Sequence, residues 1–182
     1  MSANGLDARL AARLFLSGDV SAEDAVWGGG AHRAELEAVV ADQGRAPLER
    51  VLAAEVLWRC APDASRTGFG EIYARALTVS SADLPANLWG FLFYDSDDDG
   101  PLGDRLLATG AEAVPELVRL LDDDTPMTYA GSREAMLGNS LHYRVKDAAG
   151  YYLAKITGVD ITFPTDREAR DAELERLRSG HA

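Results

Sequence analysis

The aspartates of residues 95–100 have the spacing that most directly suggests chemistry. Asp95, Asp97 and Asp99 alternate and are followed by Gly100, which matches the first half of an EF-hand loop. Carboxylates at this spacing can converge on Ca²⁺ through their oxygen atoms. The twelfth loop position normally holds a bidentate glutamate, and here it is Leu106. The segment therefore predicts either a weak calcium site or a solvated acidic turn between helices.

A second candidate site lies in residues 125–142, between two predicted helices. Tyr129, Arg133, Glu134 and His142 supply aromatic, cationic, anionic and titratable groups within this segment. Connections of this length are unusual between paired helices, and surface loops often carry function. We expect these four residues to form a binding loop; the alternative is that Ser132 and Glu134 start the next helix.

The other potentially reactive residues favour structural roles. The three histidines lack the spacing of a zinc site. Cys60 and His142 could form a nucleophilic pair, but the position of Cys60 late in an amphipathic helix favours a buried thiol. The glycines at 28–30 are not followed by the Gly-Lys-Ser/Thr of a phosphate loop, so they predict a hinge or a helix cap.

Helical periodicity dominates the chain, and no alternating segment is long enough to seed a sheet. The sequence therefore predicts an all-α fold in which residues 1–182 form a single helical domain. The pattern of residues 35–60 predicts an αα-hairpin. Residues 85–94 are dense in large apolar groups and could form a buried helix or a strand, and their helical neighbours favour the helix. A capping box of Thr165, Asp166, Arg167 and Glu168 predicts a final capping helix over 165–179.

Two segments, 110–124 and 143–158, resemble the paired helices of a HEAT-type repeat. In the first, a glycine precedes an Ala-Val-Pro start and a Leu-x-x-Leu-Leu face that ends in acidic residues. In the second, Arg144 and Asp147 precede small alanines, then leucine and isoleucine, then Gly158. Small alanines in one helix allow a neighbouring helix to approach closely.

The resemblance implies a short α-α superhelix in which HEAT-like hairpins stack in two layers. Residues 35–60 would form a degenerate hairpin and 102–158 a clearer one, interrupted by the long inter-helix loop 125–142. Arg144 and Asp147 would form a structural pair that bridges neighbouring turns or repeats. The family usually presents a concave surface to protein partners, and a minority of its relatives, such as the bilin lyases, are enzymes.

The charge of the chain limits its partners. Lys and Arg total 18 against 30 Asp and Glu, which gives a formal charge of −12. Such a chain repels phosphate backbones and anionic membranes, so we expect a basic protein partner and neither nucleic acid nor a membrane. Cys60 is the only cysteine, which is consistent with a reducing compartment and favours the cytoplasm.

These observations favour a non-enzymatic protein–protein interaction module with an acidic binding surface. An inhibitor or immunity-type protein that masks a basic active site is one form of this hypothesis. The alternative is an enzyme or small-ligand-binding protein of the lyase type, with its site near residues 125–144. No cofactor is expected, apart from the calcium considered above.

Overall fold

The computed structural model describes residues 5–17, 19, 21–90 and 100–180, and within these ranges the protein is all-α. The α-helices are α1 (Ala8–Ala11), α2 (Ser21–Trp27), α3 (Arg33–Ala41), α4 (Pro47–Cys60), α5 (Phe69–Ala76), α6 (Gly100–Thr109), α7 (Val114–Leu120), α8 (Ser132–Gly138), α9 (Val145–Thr157) and α10 (Arg167–Ser179). A π-helical turn covers Ala12–Leu16, and 3₁₀ turns lie at Gly28–Gly30, Ala86–Trp89, Gly110–Ala113 and Asn139–Leu141. Among the helices described here, none combines the length and apolar character needed to cross a bilayer.

Helix α4 forms the centre of the N-terminal half. It begins at Pro47, which suits the first turn of a helix because the missing N–H needs no partner there. Helices α1, α2, α3 and α5 all pack against it, and every residue from Arg50 to Leu57 is buried. A helix buried on all sides has no single apolar stripe. Helix α3 joins α4 through residues 42–46, and the two form a helical hairpin.

Helix α5 is connected to the C-terminal half by a close backbone approach at Gly70. A Cβ at this position would lie closer than 3.0 Å to the backbone of Glu112 and Ala113, so glycine is required. The carboxylate of Glu112 accepts hydrogen bonds from the backbone N–H of Gly68 (2.5 Å) and Gly70 (3.1 Å). It thereby caps the first turn of α5, where the helix dipole favours a negative charge.

In the C-terminal half, α9 packs against α6, α7 and α10. The contact between α7 and α9 is the one that the HEAT resemblance requires of residues 110–124 and 143–158. Ala148, Ala149 and Gly150 are buried on α9. A Cβ at Gly150 would overlap a terminal methyl group of Leu174 of α10, so this leucine side chain packs directly over the glycine.

Three details differ from the helices that the sequence predicts. Within 85–94, the described part forms only the 3₁₀ turn Ala86–Trp89, and residues 91–94 lie outside the described ranges. The predicted loop 125–142 contains α8 and a second 3₁₀ turn. Asp166, and not Thr165, is the N-cap of α10, because its carboxylate accepts a hydrogen bond from the Ala169 N–H at 2.8 Å.

Candidate functional site

The predicted calcium ligands Asp95, Asp97 and Asp99 lie outside the described residues. Leu106, at the twelfth position of the EF-hand pattern, is completely buried in α6 and belongs to the core. Within the described ranges, no group of three or more His, Cys, Asp or Glu side chains is placed to hold a metal ion.

Tyr129, from the predicted binding loop, is a buried anchor of the segment. The residue is 5% exposed, and the side-chain amide of Asn139 holds its backbone. That amide accepts a hydrogen bond from the Tyr129 N–H (2.8 Å) and donates one to the Tyr129 carbonyl (3.2 Å). Asn87 makes the same double contact with Ala130, accepting at 2.7 Å and donating at 3.1 Å. These two asparagines fix the segment 127–130 against the 3₁₀ turns on either side of it.

The remaining predicted loop residues do not share the environment of Tyr129. Arg133 and His142 are exposed, and the side chain of Glu134 lies outside the described part of the structure. His142 has a left-handed backbone (φ 51°), which is unusual for a residue other than glycine. Arg144, which a catalytic pocket here would need, is buried and engaged by carboxylates.

Arg144 and Asp147 form a bidentate pair at the start of α9. Nε of Arg144 donates to Oδ2 of Asp147 at 3.0 Å, and Nη2 donates to Oδ1 at 2.9 Å. The Arg144 backbone N–H also donates to Oδ2 at 2.9 Å, so Asp147 caps the helix while it holds the guanidinium. Arg144 is 3% exposed and Asp147 is 0% exposed, which places both charges in the interior.

Two further carboxylates complete the surroundings of Arg144. Nη2 donates to Asp171 of α10 at 2.7 Å, and Nη1 donates to Asp124, which follows α7, at 3.0 Å. Lys146 bridges the same two aspartates at 3.1 and 3.0 Å. The bond from Arg144 lowers the pKa of Asp171, and the bond from Lys146 lowers that of Asp124. Burial opposes the charged form of Arg144, but its aspartate partners raise its pKa.

Arg170 is the second buried arginine beside Asp147. Its side chain is 1% exposed, and its Nε lies 3.6 Å from Oδ1 of Asp147 without a hydrogen bond. Nη1 donates to the carbonyls of Pro164 and Thr165 (3.0 Å each), and Nη2 donates to that of Leu141 (2.9 Å). We call the residues that join α7, α9 and α10 in this way the ionic clasp; its members are Asp124, Arg144, Lys146, Asp147, Arg170 and Asp171.

Glu55 is the centre of a second buried polar cluster, in the N-terminal half. It is 1% exposed and accepts from Tyr73 of α5 (2.8 Å), from Arg59 of α4 (2.6 Å) and from Arg105 of α6 (3.2 Å). Arg59 also pairs with Glu23 of α2 at 3.2 Å. Burial, together with the neighbouring Glu55, raises the pKa of Tyr73 well above its usual range.

Arg144 and Asp147 are predicted from the sequence as a structural pair, whereas the roles of Arg170, Asp171 and Glu55 are not. A signal for Glu55 was present, because a charged residue that interrupts the apolar run 51–57 must find a partner when that helix is buried. No comparable signal marked Arg170 or Asp171, since α10 reads as a charged surface helix. The burial of Arg170 and the contact of Asp171 with Arg144 depend on how α10 lies on α9.

Helix α8 carries large apolar side chains on its exposed face. Met136 is 74% exposed and Leu137 is 45% exposed. Ala135 is half-buried and Gly138 is buried, and Gly138 lies so close to the ring of Tyr129 that a Cβ would overlap it. Helix α8 therefore exposes its large apolar side chains to solvent, whereas an ordinary amphipathic surface helix buries them.

A groove of about 530 Å³ opens between α3, α4 and the start of α5. Its lining includes the carboxylates of Glu37 and Glu71 and the apolar residues Val40, Leu57 and Phe69, of which Leu57 and Phe69 are almost completely buried. Its volume falls within the range of ordinary ligand pockets.

Comparisons with known proteins leave the chain unassigned to a family. No family model matches it, and neither a curated protein nor a solved structure is significantly similar to it.

Proposed function

We propose that this chain is a non-enzymatic protein-interaction module that binds a basic protein partner through exposed carboxylates. The observation that carries this proposal is the distribution of ion pairs. Most arginines of the described residues already contact a carboxylate of the same chain, as Arg33 contacts Glu37 and Arg119 contacts Glu116. The excess negative charge therefore remains on carboxylates that have no cation of their own.

Several of these carboxylates are exposed and free of intramolecular ion pairs. Among the described residues, no cation lies within ion-pair distance of Asp104, Asp160 or Glu168. A cationic partner would gain attraction from such groups without first having to displace an internal arginine. Complementary charge of this kind speeds association and selects among partners.

The use of the buried charges also favours binding over chemistry. A buried charged group can serve catalysis, but the buried charges of the described residues are held by partners within the chain. Examples are Glu55, Asp147, Arg144 and Arg170. Such clusters fix the helices relative to one another and give a rigid scaffold. The HEAT-type resemblance of 110–124 and 143–158 supports the same proposal, because such helix pairs usually serve protein recognition.

The alternative function, a lyase-type enzyme or ligand-binding protein, places its site at 125–144. Tyr129 and Arg144 are buried there and engaged, whereas Arg133 and His142 are exposed. Among the side chains of this segment that the structure describes, no convergent set of groups supports the alternative. The single cysteine supports the cytoplasm as the proposed place of action.

Affinity capture with two matched variants tests the proposal. The test variant is Asp104→Asn/Asp160→Asn/Glu168→Gln. The control variant is Asp63→Asn/Asp122→Asn/Glu175→Gln, which removes the same charge from exposed carboxylates that already have an arginine partner. At low salt we expect the wild type and the control to enrich one basic protein at near-stoichiometric amounts and the test variant to lose it, and we expect the enrichment to fall as salt increases. Failure to enrich such a protein, or equal enrichment by both variants, would contradict the proposal.

A further inference from the structure

The connection between α9 and α10 contains a short segment, 159–163, with the pattern of an extended chain. No helix, turn or bend falls within it. Its first, third and fifth residues, Val159, Ile161 and Phe163, are half-buried, and the residues between them are exposed. Alternate exposure is the side-chain period of a β-strand, and β-branched and aromatic residues favour strands. This segment therefore has the form of a single strand within the helical part of the chain that the structure describes.

Hydrogen bonds fix the 159–163 segment near both of its ends. At its start, Nη2 of Arg176 in α10 donates to the Asp160 carbonyl at 2.8 Å. Just beyond its end, Nη1 of Arg170 donates to the Pro164 carbonyl at 3.0 Å. Pro164 also restricts the preceding Phe163 to extended conformations. The segment is thus held in its extended form before anything binds to it, which lowers the entropic cost of binding.

Between these fixed points the backbone is unpaired. Among the described residues, no hydrogen bond involves the backbone N–H or carbonyl of Ile161, Thr162 or Phe163. Backbone groups without a protein partner must contact water, so they lie at the surface. Successive residues of an extended chain direct these groups to opposite edges. Arg176 lies on the edge that contains the Asp160 carbonyl. The open edge is therefore that of Ile161 and Phe163, and such an edge is a template for another extended chain.

The apolar side chains of the segment, together with residues of α9, line a pocket of about 400 Å³. Tyr151 and Ala154 contribute from α9, and the centroids of the Tyr151 and Phe163 rings are 5.9 Å apart. Both rings belong to half-buried residues, so apolar surface is accessible in this pocket. Side chains that lie opposite each other on paired strands point to the same face. An apolar side chain opposite Ile161 would therefore be directed to the side of the pocket.

We propose that an extended, basic segment of a partner protein pairs with the 159–163 segment as an added β-strand. The inference rests on the proposed function for the basic character of the partner, and it adds the form in which that partner is recognised. Backbone hydrogen bonds to Ile161 and Phe163 provide the pairing, and alternate apolar side chains enter the pocket. The side chains between them lie on the face of Asp160, an exposed carboxylate with no cation in ion-pair distance among the described residues. Lysine or arginine at these positions pairs with that carboxylate.

The charge of the chain favours such a partner over a second copy of the chain itself. Pairing between two 159–163 segments would bring together two chains of formal charge −12, each with an exposed Asp160 at the contact. Like charges that face each other across paired strands are destabilising. A basic peptide, in contrast, is attracted by the same charges.

Amide hydrogen exchange of the full chain, followed residue by residue with NMR, tests the proposal. The probe is the acetylated and amidated peptide Lys-Val-Lys-Val-Lys-Val-Lys, which alternates basic and apolar residues as the segment requires. Titration with this peptide should slow the exchange of the Ile161 and Phe163 amides. The amide of Thr162 lies on the other edge and should be unaffected, so it serves as a control within the same molecule.

Two N-methylated versions of the peptide separate strand pairing from attraction between charges. Both keep the sequence and net charge of the parent, but one carries methyl groups on its valine amides and the other on its lysine amides. Only alternate amides of a strand face its neighbour, so one version should bind roughly tenfold or more weakly than the parent, and the other about as well. Asp160→Asn should weaken binding of the parent peptide more than Asp122→Asn, which removes an exposed charge that already has an arginine partner.

Protection of the Ile161 and Phe163 amides, together with unequal binding of the two methylated peptides, would support the inference whether or not affinity capture yields a partner. Unprotected amides at these two positions, or equal binding of the methylated peptides, would overturn it. The proposed function would then still be decided by the affinity capture alone. Exchange that slows in the free protein as its own concentration rises would assign the edge to a second copy, and this result would also overturn the inference.

Discussion

Asp147 holds Arg144 with both carboxylate oxygens while Arg170 approaches one of the same oxygens to 3.6 Å. One fully buried carboxylate thus lies between two buried guanidiniums, at the point where α10 meets the start of α9. A charge that is removed from water in this way is tolerated only when it is paired. The ionic clasp therefore makes the position of α10 depend on the charge of Asp147.

Replacement of Asp147 by Asn should strongly destabilise the protein. The substitution keeps the side-chain size but leaves Arg144 and Arg170 without their shared counter-charge, and breaking a buried pair typically costs about 3–5 kcal/mol. Urea unfolding followed by circular dichroism measures the free energy of unfolding. Asp122→Asn is the control, because Asp122 is 76% exposed in its ion pair with Arg178, and it should cost less than about 1 kcal/mol. Similar effects of the two substitutions would show that the clasp is not held by Asp147.

The lowered pKa of Asp171 predicts a loss of stability in acid. A carboxylate whose pKa is lower in the folded than in the unfolded state stabilises the fold above its unfolded pKa, near pH 4. This contribution disappears as the pH falls through the lower, folded pKa. The free energy of unfolding, measured from neutral to strongly acidic pH, should decrease less steeply in Asp171→Asn than in the wild type. Superimposable pH profiles would contradict a role for this carboxylate.

Tyr73 should remain protonated in alkaline solution for as long as the protein is folded. Its raised pKa means that it favours the folded state below the unfolded pKa of about 10 and loses this contribution as the pH rises further. Tyrosinate absorbance should therefore titrate identically in the wild type and in Tyr73→Phe until the wild type unfolds. The Phe variant should also lose about 1–3 kcal/mol of stability, because phenylalanine has no hydroxyl group to donate a hydrogen bond to the buried Glu55. If the folded Tyr73→Phe variant gave a smaller tyrosinate absorbance than the folded wild type, Tyr73 would ionise in the folded protein and the prediction would be wrong.

Replacement of Gly138 by Ala should disturb the base of α8. The added Cβ would overlap the Tyr129 ring, and overpacking of this kind typically costs about 1–3 kcal/mol. Gly180→Ala is a suitable control, because a Cβ there meets nothing closer than 3.5 Å and should change stability by less than about 0.5 kcal/mol. Unfolding in urea compares the two. An unchanged Gly138→Ala variant would show that Tyr129 does not fix α8.

The fold class followed from the sequence because apolar periodicity depends on local spacing. The alanines of α9 and the leucines of α7 predicted two helices that could pack closely, and the structure places these helices in contact. The internal structure of residues 125–142 did not follow in the same way. Gly138 reads as a helix breaker in the sequence, and only the position of Tyr129 explains why a glycine is needed there.

The candidate site was less predictable than the fold, for a physical reason. Arg144 and Asp147 stand three residues apart, so their contact is a local helical relationship. Arg170 and Glu55 reach their partners across helices, and such contacts depend on packing angles that the sequence pattern does not specify. The same limit applies to charge: the composition predicts a net −12, but only the ion pairs show which carboxylates remain free.

The most direct test of the central claim is the salt dependence of the affinity for the captured basic partner. The dissociation constant is measured for the wild type and for Asp104→Asn/Asp160→Asn/Glu168→Gln over a range of salt concentrations. If these exposed carboxylates form the binding surface, the wild-type affinity falls steeply as salt increases, and the variant binds more weakly with a shallower dependence. An affinity that is independent of salt and equal in the two proteins would contradict the account.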